Sequence, residues 1–432
     1  MTAPFRIAIA GLGTVGSGVV KALAARGDDL SHRAGRALQI TAMSARDNAR
    51  ARGFEITGWR DDPLALAGSD ADVVVELIGG EEGIARALVE RALSNGKHVV
   101  TANKALLAKH GLPLAKLAED KGVSLKFEAA AAGGIPIVKV LREDLIAHGV
   151  DAIKGILNGT CNYILTEMEA SGRSFAEVLK EAQAKGYAEA DPALDVGGGD
   201  TAHKLCLLSS LAFGTAPDLA HVAVEGITHI TADDIAFASE FGFRIKLLGV
   251  ARRVGDQNSM KIDQKVHPAM VRARAALANV SGAANGVLVD AGEAGSFFFS
   301  GRGAGEAPTA SAVIADIVEA ASEGDQPSPV FGRPAVGLAK LEPADSKAGV
   351  SPWYLRFEVL DVPGVLAAIA RHLADAGVSI ESMIQRGRAP GEPVAIVMIT
   401  HETAQGAVER ALKAISASDK VRSRPCMIPM ES

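Results

Sequence analysis

The chain has 432 residues, about three domains' worth at roughly 150 residues per domain, of which 48% are hydrophobic and 22% charged. That composition builds packed cores without disulfide or metal staples and excludes extended disorder. Lysine and arginine total 45 against 51 acidic residues, a formal charge of -6, so no bulk field draws nucleic acid or anionic lipid, and no local basic patch replaces it.

The chain opens MTAPFRIAIAGLGTVGSGVV. Glycines recur through this stretch and no basic residues precede its apolar part, so it reads as folded protein rather than a secretion leader. From residue 5 to about 140, short apolar runs alternate with longer alanine-rich amphipathic stretches. The runs fall at 5–10, 38–43, 72–79, 98–102 and 124–129. They are continuous rather than alternating, which means burial on both faces and predicts a parallel sheet covered by helices, a doubly wound α/β unit. A middle block of about 137–302 mixes helical patterns with strands predicted at 152–157, 243–252 and 259–266. A helix at 309–321 then offers an Ala/Val/Ile face that packs back onto the first block. Residues 322–350 are rich in Pro, Gly and charge without a sustained period, and read as a linker. From 353 onward the predicted order is strand, helix, strand, strand, helix, strand, which is a ferredoxin-like sandwich. No run anywhere approaches the roughly 18 apolar residues of a membrane span. Cys161, Cys206 and Cys426 are too far apart for a CxxC site or a paired disulfide framework, which points to a reducing, cytoplasmic setting.

The first chemical motif is Gly11-Leu12-Gly13-Thr14-Val15-Gly16, set between the first strand and the first helix. In such a turn the first glycine permits the bend, the second lets backbone approach a pyrophosphate, and the third allows close helix-strand packing. The helix N-terminus then offers free N–H groups and partial positive charge to phosphate. This is a Rossmann-type dinucleotide site. Past the second strand the chain reads Ser44-Ala45-Arg46-Asp47, with Arg50 and Arg52 following; an arginine here suits the 2′-phosphate of NADP, while Asp47 suits the free ribose of NAD. Arg46 tips the reading toward NADP.

Further along, Asp200 and Lys204 stand four apart at the opening of a predicted helix and project from one face. Glu189, Asp191 and Asp195 precede them on a loop loosened by Gly197, Gly198 and Gly199. An amino acid's ammonium seeks carboxylates, and an alcohol losing hydride needs a proton acceptor; the cluster offers both.

Taken in order, GLGTVG, ELIGG (76–80), TANK (101–104), FEAAAAGGIPI (127–137), GILNGTCNYIL (155–165) and GYAEADPALDVGGGDTAHKL (186–205) resemble homoserine dehydrogenases over residues 1 to about 325. The last unit, with Asp361-Val362-Pro363-Gly364-Val365-Leu366, resembles an ACT domain. The resemblance implies a nucleotide-binding domain at 1–136 plus about 303–325, an α+β substrate and dimerisation domain at 137–302, a linker at 326–350, and an ACT unit at 351–432. It implies NADP-dependent reduction of L-aspartate 4-semialdehyde to L-homoserine. A related amino acid dehydrogenase acting on aspartate, or a non-catalytic amino acid sensor, are the alternatives.

Carried over residue by residue, Glu189 and Asp200 are the implied homoserine-binding carboxylates, with Asp195 helping to hold the site. Lys204 is the implied proton donor and acceptor, and Lys104 stands where cofactor and substrate meet. Thr101, Lys104, Gly186 and Gly303 join the glycine loop as implied cofactor contacts. Glu128 and the carbonyls of Ala131, Gly133 and Ile135 imply a sodium or potassium site, since hard cations favour oxygen; from the residues alone, the same segment reads as a tight backbone crossing. Cys161 with His203 suggests a thiol nucleophile, but the family resemblance puts Cys161 at a Thr-or-Cys position with no such role, and Cys206 reads as core. Asp361, Pro363 and Gly364 form a turn before a helix whose free N–H groups suit an amino acid carboxylate, implying feedback control, by L-threonine as a distal product. A homodimer or homotetramer is expected, since substrate domains of the family pair through their sheets and ACT units associate.

Overall fold

The computed structural model describes residues 3–48, 50–255, 259–324, 327–385 and 393–431. The first sheet contains β1 (Phe5–Ala10), β2 (Leu38–Ser44), β3 (Val73–Glu76), β4 (His98–Thr101) and β5 (Leu125–Lys126), all parallel, in the order β2-β1-β3-β4-β5. Every residue of β3 and all but one of β1 are buried, as the unbroken apolar runs predicted. Helix α1 (Thr14–Ala34) and a late helix, Glu306–Ser322, cover one face and pack together; α2 (Ile84–Ser94) and α3 (Lys104–Lys121) cover the other. The return of the late helix to the first block was legible from its apolar face.

Register lines up the carboxyl ends of the strands: Ala10 pairs with Ser44 and Glu76, and Glu76 with Thr101. The loops that follow these four residues therefore open on one rim, where ligands bind in open parallel sheets.

The fifth strand is shorter than the predicted 124–129. The chain leaves the sheet after Lys126 and turns through Glu128–Ala130, because the Glu128 carboxyl is recruited by the backbone N–H groups of Val138 and Lys139 at 2.9 and 2.8 Å.

A second sheet runs in the order Ser296–Arg302, Ala284–Asp290, Ala152–Ile156, Phe243–Val254, Lys261–Arg272, Cys426–Glu431, Trp353–Leu360, Pro393–Thr400, Ile380–Gln385. Neighbours are antiparallel except Lys261–Arg272 and Cys426–Glu431, which are parallel. The strand expected at 259–266 continues through Pro268, opposite Leu247, to Arg272. The last strand is confined to Cys426–Glu431, beyond Pro425, which has no N–H to give a ladder.

The ferredoxin-like sandwich forms as predicted, with helices Val365–Asp375 and Gln405–Ile415 on one face of its sheet. The stretch expected to be a linker is laid down on the protein; Asp325 and Gln326 lie outside the described residues. Phe331 is buried against Phe127 with ring centroids 5.4 Å apart, Ala335 N–H donates to Glu119, and Glu342–Pro343 pairs with Lys261 and Ile262.

Candidate active site

Gly11 and Gly16 make the bend and the close packing expected of them. Gly11 has φ +98°, and a Cβ there would press on the Leu77 carbonyl oxygen at 2.5 Å. A Cβ on Gly16 would strike the Gly11 carbonyl, so helix and turn touch backbone to backbone. Around Gly13 no described residue lies within 4 Å of such an atom, and α1 starts there without a side-chain cap. Open space in front of uncapped N–H groups is the arrangement that favours an anion. Arg46 is exposed beyond β2, while Arg52 reaches back to the Leu12 carbonyl at 3.4 Å and also donates to Asp47 O. Leu12 is buried, and Thr14 and Val15 open the helix.

Glu76, buried at the end of β3, accepts from Ile78 and Gly79 N–H at 2.7 and 2.9 Å and from the Thr101 hydroxyl at 2.6 Å. Asn103 caps α3 through its Oδ1 and donates from Nδ2 to Gly80 O at 2.7 Å. The 77–80 loop thus leans on Gly11 at one end and on Asn103 at the other, tying the glycine turn to Lys104.

Lys104 opens α3, which packs against the helix Gly199–Phe213 carrying Asp200 and Lys204. Lys204 Nζ lies 2.7 Å from Asp200 Oδ2, and Lys104 Nζ 3.3 Å from Asp200 Oδ1. Lys204 also donates to Leu157 O at 2.7 Å, so among the described residues two of its three N–H groups are engaged. Burial opposes a charge on Asp200, but both lysines and Asn158 overcome it and hold the carboxyl well below the usual carboxylate range.

Asn158 is the residue that sequence reasoning missed. Its Oδ1 caps the helix Gly159–Ser171 through Cys161 N–H, while Nδ2 donates to Asp200 at 2.9 Å and Asp195 at 2.7 Å. Asn-Gly before a helix was the available signal, as an N-cap. Asp195, half enclosed, has its pKa raised by burial, with the Asp200 charge adding to the rise.

Glu189 does not join this cluster: it is exposed on the loop, where its backbone carbonyl accepts from Gln183 at 3.1 Å. Asp191 caps the next turn through Ala193 N–H, and Gly186 is exposed at the end of the helix Phe175–Ala184. The expected quartet of two amines and two carboxylates is therefore assembled as two amines on Asp200, with Asp195 linked through Asn158. The thiol of Cys161 is buried, donates to Asp195 O at 3.2 Å, and is pushed far up by burial and by the Asp195 and Asp200 charges, which disfavours a nucleophilic thiolate. Burial also raises Cys206, to about 12, in the core. His203 has its pKa lowered by burial and by Lys104.

At 128–135, the crossing is tight. Gly133 rests on the Gly303 backbone so closely that a Cβ would overlap it, and Gly134 N–H donates to Arg302 O at 3.0 Å. Ala131 and Ile135 carbonyls accept from Gly133 and Ile137 N–H. These are oxygen donors of the kind a hard monovalent cation takes. Among the described residues, no group of three or more His, Cys, Asp or Glu could hold a metal. In the last unit, Asp361, Pro363 and Gly364 line a cavity of about 410 Å³ together with Gln385 and Ile396.

Family models match the chain in three places: homoserine dehydrogenase over 136–318, homoserine dehydrogenase NAD binding domain over 11–128, and ACT domain over 353–419. The homoserine dehydrogenase of Neisseria gonorrhoeae is 45% identical over 437 residues, covering 99% of both chains, and that of Pseudomonas aeruginosa 40% identical with the same coverage. A crystal structure of a homoserine dehydrogenase from Thiobacillus denitrificans superposes with a TM-score of 0.93 at 41% identity, covering 100% of this chain and 99% of that one. A hyperthermophilic archaeal homoserine dehydrogenase in complex with NADPH matches 74% of this chain and 98% of its own, at a TM-score of 0.61 and 25% identity.

Proposed function

The chain belongs to the homoserine dehydrogenase family, an oxidoreductase with a nucleotide-binding domain and an ACT unit, and from that premise we propose how its residues divide the work. The observation that carries the reading is the convergence of Lys104 and Lys204 on one buried carboxylate beside the loop that supports the glycine turn.

When bound, a nicotinamide cofactor would supply the hydride chemistry, to the aldehyde carbon of L-aspartate 4-semialdehyde or from the carbinol of L-homoserine. Lys204 gives the proton to the developing alkoxide and takes it back in reverse, a role worth roughly 10² to 10⁴ in rate. Lys104 adds positive charge where the oxyanion forms. Asp200 and Asp195 hold the substrate ammonium, and Glu189, exposed on its loop, is the further substrate carboxylate of this proposal. Gly11 to Gly16 and Thr101 would hold the diphosphate side of the cofactor, Gly186 and Gly303 are its further proposed contacts, and Arg46 favours NADP.

Glu128, with Ala131, Gly133 and Ile135, would hold sodium or potassium and brace the crossing that brings the late helix home. The domain limits follow the sequence reading: 1–136 with 303–325, 137–302, a linker at 326–350, and 351–432. Feedback by L-threonine at the Asp361–Gly364 turn, a homodimer or homotetramer built on the exposed edge strands Ser296–Arg302 and Ile380–Gln385, and a cytoplasmic setting complete the proposal. Among the described residues no helix is long and apolar enough to cross a membrane.

The test is homoserine-dependent cofactor reduction followed at the nicotinamide band, with NADP and NAD, with and without threonine. Faster turnover with NADP and a threonine-dependent loss of rate support the two finer assignments. Equal use of both cofactors removes the Arg46 argument, and indifference to saturating threonine removes the effector.

A further inference from the structure

The strand Ala152–Ile156 runs into the helix Gly159–Ser171 through Leu157 and Asn158, and this corner reaches Lys204, Asp200 and Asp195 at once. The Leu157 carbonyl accepts from Lys204 Nζ at 2.7 Å, while Asn158 Nδ2 donates to Asp200 Oδ2 at 2.9 Å and to Asp195 Oδ1 at 2.7 Å. Packing sets the corner. Leu157 is fully buried, Asn158 is 4% exposed, and a Cβ on Gly159 would press on the Ala283 carbonyl oxygen at 2.7 Å.

The Asn158 carboxamide can face only one way. Its Oδ1 accepts the Cys161 N–H at 2.8 Å, so a flipped amide would set donor against donor at that end and its oxygen against two carboxylates at the other. Held by its oxygen, the amide turns one N–H to each carboxylate. Asp200 is also held by Lys204 at 2.7 Å and Lys104 at 3.3 Å. Asp195 stands on the short turn Ala193–Val196, just before the glycines at 197–199, and Asn158 ties its carboxyl to the corner. Two carboxylates set side by side repel, and unbridged they part or share a proton. A neutral double donor between them keeps both ionised and adjacent.

We propose that Asn158 is a positioning residue of the reaction: its carboxamide holds the Asp195 carboxylate beside that of Asp200, so that the two meet the substrate ammonium together. This rests on the reading that those two carboxylates hold the ammonium. Burial raises the Asp195 carboxyl above its usual value; the Asn158 hydrogen bond works against that rise, the Asp200 charge adds to it, and Lys204 and Lys104 oppose it. Without Asn158 the carboxyl is pushed higher still, and a site that needs it ionised fails sooner as pH falls.

The experiment must separate this role from the helix cap, and two variants of the full-length chain do so. Asn158→Gly removes the amide but leaves a residue that still serves at a helix start, and Asn158→Ser keeps the cap with one hydroxyl donor. Asn158→Gly is expected to raise KM for L-homoserine by about tenfold or more, the loss of charge-assisted hydrogen bonds. It also moves the acid limb of kcat/KM to higher pH, changes kcat less than KM, and leaves the Kd for NADP as in the parent. Asn158→Ser recovers part of the loss in KM. If Asn158→Gly fails to fold, Asn158→Ser carries the test, with a smaller rise in KM and the limb moved the same way. The proposal is overturned if KM and the acid limb stay where the parent has them. It is overturned too if KM, kcat, the Kd for NADP and Tm worsen in step and Asn158→Ser restores all four, which is the behaviour of a cap alone. Asp195→Asn, assayed alongside, tells two failures apart. If it raises KM while Asn158→Gly does not, the ammonium reading stands and Asn158 has no part in it; if it leaves KM unchanged, that reading falls and takes the proposal with it.

Discussion

Single atoms separate the three glycines of the first turn. A methyl group on Gly16 meets the Gly11 carbonyl, and one on Gly13 meets nothing. Gly16→Ala is therefore expected to destabilise the fold by about 1–3 kcal/mol, read as a lower Tm without cofactor. Gly13→Ala should leave that Tm unchanged and raise the Kd for NADP, because its methyl group takes space meant for phosphate. If Gly13→Ala binds cofactor as the parent does, the cradle has been misplaced. Asp200 is the other residue on which much turns. Replaced by Asn it keeps its shape but no longer offsets two neighbouring cations, so kcat/KM should fall by roughly two orders of magnitude or more, the scale of a lost electrostatic group in a closed site. The held-down carboxyl stays ionised across the working pH range, so no acid limb of the activity profile belongs to it.

Among the elements, the central strand Phe243–Val254 carries an unexpected burden. Lys246 is 2% exposed, donates to Asn162 Oδ1 at 3.0 Å and Val280 O at 2.7 Å, and is lowered to about 8 by burial. Its folded pKa lies below the unfolded value of about 10.4. Stability from this group is thus complete above the unfolded value and lost as pH falls through about 8. Denaturant melts of the parent minus Lys246→Met should show a difference that grows in the parent's favour from pH 7 to pH 10; a flat difference contradicts it.

The same scale shows what could be read in advance. The strands of the first sheet, its glycine turn and the Asp200–Lys204 pair were legible because each is a local pattern with one period or one spacing. Asn158 was not, because its partners are 37 and 42 residues away in the chain. Glu189 was expected among the lysines, but it stands exposed on its loop, where Gln183 holds its backbone carbonyl and a place in a motif does not fix the side chain. The packing of 327–350 was hidden by its Pro and Gly content, which describes a missing period and says nothing of Phe331 finding Phe127.

At the scale of the whole molecule, the last strand sews the ACT unit into the second sheet. Cys426–Glu431 pairs with Trp353–Leu360 on one side and with Lys261–Arg272 on the other. Glu431 then meets Arg252 and Lys154, and Arg356 with Tyr354 meets the buried Asp234 of the helix Ala232–Glu240. Arg356→Met strands the Asp234 carboxylate and should cost about 3–5 kcal/mol, seen as a lower Tm and faster proteolysis between 342 and 352. An unchanged melt would mean that the clamp holds nothing.

The claim on which the rest depends is that Lys204 moves the proton. Purified Lys204→Ala, assayed for homoserine-dependent reduction of NADP alongside direct titration of the cofactor, tests it. The account predicts kcat reduced by roughly 10² to 10⁴ with cofactor affinity unchanged. Turnover near that of the parent, with cofactor still bound, would contradict it.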